Sequence, residues 1–123
     1  MSTSKLYHYS AKVTRVVDGD TIDVILDLGF DVSLKARVRF FGIDAPETRT
    51  RDAEEKMRGL ESKTYVEHWI DGHDNKVIIE TRLDKRGKFG RVLGRILCPD
   101  DACDCLNDDM LEYGYASEYL GGS

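Results

Sequence analysis

The sequence predicts a mainly β, α+β domain: a five-stranded Greek-key barrel of the oligonucleotide-binding (OB-fold) class, with one long and one short helix. Three observations predict it. Five short segments read as strands, and no long crossovers of the kind a parallel α/β sheet needs join them. A long helical stretch separates the third strand from the fourth, and a short one follows the fifth. At 123 residues, with 41% hydrophobic and 33% charged content, the chain suits one folded domain with its own core.

Residues 1–9 are expected as a flexible lead-in and 10–123 as the single domain. The first strand, Lys12–Val17, is stopped by Asp18-Gly19-Asp20. Thr21–Leu28 follows, with Ile22, Val24, Leu26 and Leu28 on one face, and Gly29-Phe30-Asp31 turns the chain. The third strand has the clearest period: Val32, Leu34, Ala36, Val38 and Phe40 alternate with Ser33, Lys35, Arg37 and Arg39. The apolar set should line the core and force Arg39 to the opposite face. A helix is expected from about Asp52 to Ile70, with Asp52, Glu54 and Glu55 where its dipole favours acids. Leu60, Thr64 and Trp69 are expected on its buried stripe, while Gly59 weakens the helical pattern. Val77–Thr81 and Arg91–Leu97 complete the strands. A short helix from about Leu106 to Tyr113 ends at Gly114, a favourable residue just past a helix end.

Net charge is −5, which by itself opposes a polyanionic substrate. The acidity is local, however. Residues 98–123 carry seven acids and no Lys or Arg, leaving the rest of the chain at +2, with 18 basic and 16 acidic residues. Lys85, Arg86, Lys88, Arg91 and Arg95 cluster against a single acid, Asp84. No apolar run is long enough to span a membrane, and no apolar leader follows Met1. With three cysteines (Cys98, Cys103, Cys105), an odd number, reduced thiols and a cytoplasmic location are expected. Their spacing fits no common zinc template.

The residues that carry chemistry lie at strand ends. Asp20 begins one strand and Asp44 ends another, so a barrel could bring both to one rim to hold a hard divalent cation through oxygen ligands, with Asp18 in an outer sphere. Asp-Gly is also ordinary turn chemistry. Arg39 and Arg91 could clamp phosphate oxygens with their planar forks. Glu47, three residues past Asp44, could take a proton from water, or could simply be an acid near a helix start. His8, His68 and His73 show no partner pattern for nucleophilic catalysis. Tyr113, Tyr115 and Tyr119 suit base stacking or packing equally.

Together these pieces resemble the staphylococcal (thermonuclease-like) nuclease family. The matching segments are Val17-Asp18-Gly19-Asp20-Thr21, Val38-Arg39 through Ile43-Asp44-Ala45-Pro46-Glu47-Thr48, and Lys88-Phe89-Gly90-Arg91-Val92-Leu93-Gly94, with a weaker match from Leu106-Asn107 to Gly114-Tyr115-Ala116. The resemblance implies a Ca2+-dependent phosphodiesterase acting on DNA or RNA and leaving 3′-phosphate ends. It assigns Asp20, Asp44 and the Ala45 backbone carbonyl to calcium, with Asp18 outside the first sphere. Arg39 and Arg91 become the transition-state arginines, Glu47 the base, and Lys88 and Phe89 substrate contacts. Phe89 stands where the family has tyrosine, which removes a hydroxyl that could contact phosphate, and the family's long C-terminal helix is expected to be missing or shortened. The limited basic surface at the rim suits flexible single strands over rigid duplex, and a monomer is the expected state, with a dimer as alternative. A non-catalytic module binding nucleic acid or a partner on the same barrel is the competing expectation.

Overall fold

The computed structural model describes residues 7–82, 91–99 and 105–118; the side chains of Arg82 and Arg91 lie outside that description. Three long strands come first: β1 (His8–Asp18), β2 (Thr21–Gly29) and β3 (Val32–Phe40). A two-residue β4 (Ile43–Asp44) leads to α1 (Ala53–Asp71). Then come β5 (Lys76–Arg82), β6 (Arg91–Leu97), α2 (Leu106–Glu112) and a short β7 (Ser117–Glu118). Strands β1-β2-β3-β6-β5 close into a barrel, and β4 pairs with β7 beside it. All barrel pairs are antiparallel except β3 with β6. This is the OB-like α+β architecture expected from the strand and helix order.

Alternation in the strands builds the core. Ile22, Val24 and Leu26 from β2 meet Val38 and Phe40 from β3, Val77 and Ile79 from β5, and Ile96 from β6, all nearly inaccessible to water. Val66 and Ile70 of α1, with Leu106 and Met110 of α2, join the same cluster. Asn107 fixes α2 to the barrel. Its buried side chain accepts from Ile96 N at 3.0 Å and donates to Phe41 O at 2.8 Å and Gly94 O at 3.3 Å.

Several expectations about burial and extent are corrected. The apolar face of β2 and β3 was expected inside along its whole length, yet Leu28, Val32 and Leu34 are exposed. The register explains it. Pairing of β2 with β1 ends at Leu26, and pairing of β3 with β6 starts only at Arg37, so the hairpin runs out beyond the barrel wall. On α1 the buried positions are Gly59, Ser62, Val66 and Ile70, whereas Leu60 and Thr64 are exposed and Trp69 is half-buried. Small residues face inward there because the helix comes too close to the barrel turns for leucine. Strand β1 starts at His8, inside the expected lead-in, because His8 and Tyr9 pair with Glu80 and Ile79. Cys98 is disulfide-bonded rather than reduced, and Cys105 is a buried free thiol. No helix among the described residues is long and apolar enough to cross a membrane.

Asn107→Ala is expected to destabilise the fold by about 1–3 kcal/mol, because Ile96 N loses the acceptor that pairs it in the interior. Urea denaturation checks this; a loss below about 0.5 kcal/mol would mean water replaces the amide.

Candidate active site

The site is assembled where β2 begins, β3 ends and α1 approaches. Thr21 and Arg39 are cross-strand neighbours, and Phe40 N donates to Asp20 O at 2.8 Å, so strand pairing alone sets Asp20 beside Arg39. Asp20 is 9% exposed, and both oxygens of its carboxylate accept hydrogen bonds. Thr21 Oγ1 donates to Oδ1 at 3.0 Å, and Ala45 N to Oδ2 at 3.0 Å. That second bond draws the segment after β4 against the start of β2.

Arg39 lies between the two acids. Its side chain is 14% exposed, and one terminal nitrogen donates to Ile43 O at 2.8 Å and Phe40 O at 3.1 Å, with Asp20 Oδ2 at 3.5 Å. The other reaches Asp44 Oδ1 at 3.2 Å. Asp44 is far more exposed than Asp20, so one acid is built into the wall and the other faces solvent. Two carboxylates against one guanidinium leave a local charge near −1, which favours a cation. Two other strand arginines, Arg37 and Arg95, are occupied elsewhere. Arg37 pairs with Asp23 at 2.8 Å, and Arg95 pairs with Glu80 and Asp108. The Arg37 hydrogen bond holds the Asp23 carboxyl below its usual range.

Glu47 is exposed, and α1 controls its backbone. Asp52 caps the helix by accepting from Glu54 N and Glu55 N. In a capping box the acid three residues on returns to the cap; here Glu55 Oε2 instead accepts from Glu47 N at 3.4 Å. Two glycines allow the close fit. A Cβ at Gly59 would stand 2.5 Å from Glu47 O and 2.8 Å from Pro46 O. A Cβ at Gly19 would stand 2.7 Å from Ser62 Cβ and 3.1 Å from Ala45 Cβ. Segment 45–47 is therefore held between the Asp18–Asp20 turn and α1. Asp18 does not touch the acid pair; its carboxylate accepts from Thr48 Oγ1 at 2.5 Å and ties the following loop to the same turn.

Beside Asp44 and Glu47 lies a cleft of about 410 Å³, walled by Pro46, Arg58, Tyr115 and Ser117. Tyr115 stacks on Tyr65 with centroids 4.6 Å apart, and Ser62 Oγ donates to Tyr115 O at 2.6 Å. Burial, reinforced by nearby negative charge from Asp109, pushes the Tyr65 hydroxyl upward. Tyr113 is tilted against Tyr65 and mostly exposed.

The structure thus brings together Asp20, Arg39, Asp44 and the Ala45 backbone, with Glu47 three residues further along. Arg91 opens β6 opposite Arg37, two positions along β3 from Arg39. Lys88, Phe89 and Tyr119 lie outside the described residues. Sequence reasoning missed Glu55, Arg58, Gly59 and Ser62. The signals were a D-x-x-E start at Asp52 and an unexplained glycine inside a helix, which usually marks a packing requirement. Among the described residues no three of His, Cys, Asp and Glu converge on one point.

A family model described as staphylococcal nuclease homologue matches residues 37–121, more than half of the chain. The chain belongs to the staphylococcal nuclease homologue family. It is 30% identical over 117 residues to Endonuclease YhcR of Bacillus subtilis, covering 91% of this chain and 9% of that protein. An uncharacterized endonuclease of Escherichia coli is 33% identical over 108 residues, covering 88% and 60%. Uncharacterized protein MJ1439 of Methanocaldococcus jannaschii is 26% identical over 130 residues, covering 92% and 60%. This nuclease-family domain therefore spans less than two thirds of these relatives.

Gly59→Ala is expected to destabilise this nuclease-family domain by about 1–3 kcal/mol, although alanine is the better helix former by about 1 kcal/mol. Stabilisation in a denaturant titration would show that segment 45–47 moves aside freely.

Proposed function

We propose that the protein is a Ca2+-dependent phosphodiesterase that hydrolyses DNA or RNA at the 5′-oxygen side, leaving 3′-phosphate ends. The observation that carries this reading is the pairing of Asp20 and Asp44 across the half-buried Arg39, with Glu47 held nearby. Its membership of the nuclease family and its endonuclease-named relatives support it.

The donor chemistry suits calcium. Asp20, Asp44 and the Ala45 carbonyl are all oxygen donors, and a hard cation accepts such ligands with water completing its shell. When bound, the ion supplies charge stabilisation at the phosphoryl oxygens and favours a nearby hydroxide.

The chain's own residues supply the rest. Glu47 takes a proton from the attacking water, and its place follows from the Glu55 and Gly59 contacts to its backbone. Arg39 is pre-oriented by two backbone carbonyls, so the plane of its guanidinium is set before phosphate arrives. Arg91, at the head of β6, is assigned the second clamp on the developing phosphorane. The P–O5′ bond then breaks, and the leaving oxygen takes its proton from solvent. Lys88 and Phe89 are assigned to the neighbouring nucleotide, and the cleft beside Tyr115 suits a flexible single strand.

Digestion of labelled single-stranded DNA with Ca2+ tests the reading. Cutting should vanish in EDTA, and Glu47→Gln should lower the rate by roughly 10²–10⁴-fold while binding persists. Arg39→Lys should cost roughly 10²–10³-fold, since an ammonium cannot reproduce the fork. Binding without cutting by the folded wild type would instead assign the barrel to a non-catalytic binding module.

A further inference from the structure

The β2–β3 hairpin carries an apolar surface that the nuclease reading leaves unused. Phe30 at its tip is 100% exposed with φ of 55°, and Leu28, Val32 and Leu34 behind it are exposed as well. A non-glycine residue in the left-handed region is disfavoured by about 1–2 kcal/mol, and a solvated phenyl ring recovers none of it. The tip is nevertheless well built. Gly29 pairs with Val32 around Phe30 and Asp31, both with positive φ, the arrangement that matches strand twist. Asp27 Oδ1 accepts from Gly29 N at 2.9 Å and secures the turn.

At the foot of the same hairpin lies a mainly apolar cavity of about 370 Å³, walled by Ala11, Leu26, Val77 and Pro99. Its rim carries Lys12 and Lys76, which are exposed and directly opposite each other across β1 and β5, together with Asp27. Like charges so placed repel, and an incoming carboxylate relieves them. With Asp27 also on the rim the excess is a single positive charge, which an apolar group flanked by one acid, such as Phe30-Asp31, would balance.

Geometry supplies the occupant. Phe30 lies four residues beyond Leu26, about 13 Å along the strand at 3.3 Å per residue. A two-fold axis through the middle of the hairpin would bring each Phe30 toward the other copy's cavity and each Asp31 toward its lysines. We infer that the hairpin tip of one copy docks into the lysine-rimmed cavity of a second copy, forming a symmetric dimer. A nucleic-acid strand is disfavoured at this tip, because Asp27 and Asp31 flank the ring and repel phosphate.

Sedimentation velocity on the full chain across the micromolar range tests this independently of any nuclease activity. The wild type should show a concentration-dependent dimer. Phe30→Asn, which tolerates the left-handed conformation and so preserves the fold, should raise the dimer Kd by roughly 30-fold or more. Lys12→Glu with Lys76→Glu should do the same, and adding Asp31→Lys to that pair should restore association. A wild type monomeric throughout, a Phe30→Asn protein that dimerises normally, or a failed charge-swap rescue with the fold intact would overturn the inference. So would a Phe30-dependent loss of single-stranded DNA binding with an unchanged mass.

Discussion

The close approach of α1 to two barrel turns is the constraint on which the site depends. At Gly59 the helix backbone faces the carbonyls of Pro46 and Glu47, and at Ser62 it meets Gly19 and, through Tyr115 O, the turn after α2. Neither contact tolerates another carbon at the glycine without movement, because the opposing atoms are backbone or a short, buried side chain. Close packing of this kind transmits position well, since densely packed interiors do not deform continuously. The helix thereby sets where Glu47 lies, although its side chains at 59 and 62 carry no reactive group.

Arg39 plays the corresponding part on the barrel side. Its guanidinium satisfies two backbone carbonyls and touches both acids, so it is a structural cation as well as the proposed phosphate ligand. These contacts hold the plane of the guanidinium, so its orientation is already set when an anion arrives. The asymmetry of the acids follows from the same arrangement. Asp20 is pinned by Ala45 N and Thr21 Oγ1 and has little freedom, whereas Asp44 remains open to solvent and can turn toward a ligand.

Much of this was legible in the sequence. Strand periodicity located β2, β3 and β6, the acidic start placed α1 to within a residue, and Gly114 marked the end of α2. The rim positions of Asp20 and Asp44 followed from where strands start and stop. What periodicity could not give was which neighbour covers each face. Val32 and Leu34 alternate as perfectly as Val38 and Phe40, yet only the latter pair has β6 alongside. On α1, apolarity pointed to Leu60, but distance selected Gly59 and Ser62. Pairings that join residues far apart in sequence, such as Asn107 with Phe41, are set by topology and leave no local signature.

The same register that opens the outer half of the hairpin also separates it from the acids. Arg39 and Val32 stand at opposite ends of β3, about 23 Å apart at 3.3 Å per residue. Anything docked at Phe30 therefore leaves the Asp20–Arg39–Asp44 rim uncovered, and a two-fold pair joined through the hairpins would hold its two sites at its far ends. The acidic flanks of the tip fit this division, because they keep a polyanion from competing for the apolar surface. One pair of strands thus carries two chemistries. Where β6 and α1 close over it, charge is buried and fixed; where they do not, apolar residues stay exposed for a second surface to cover.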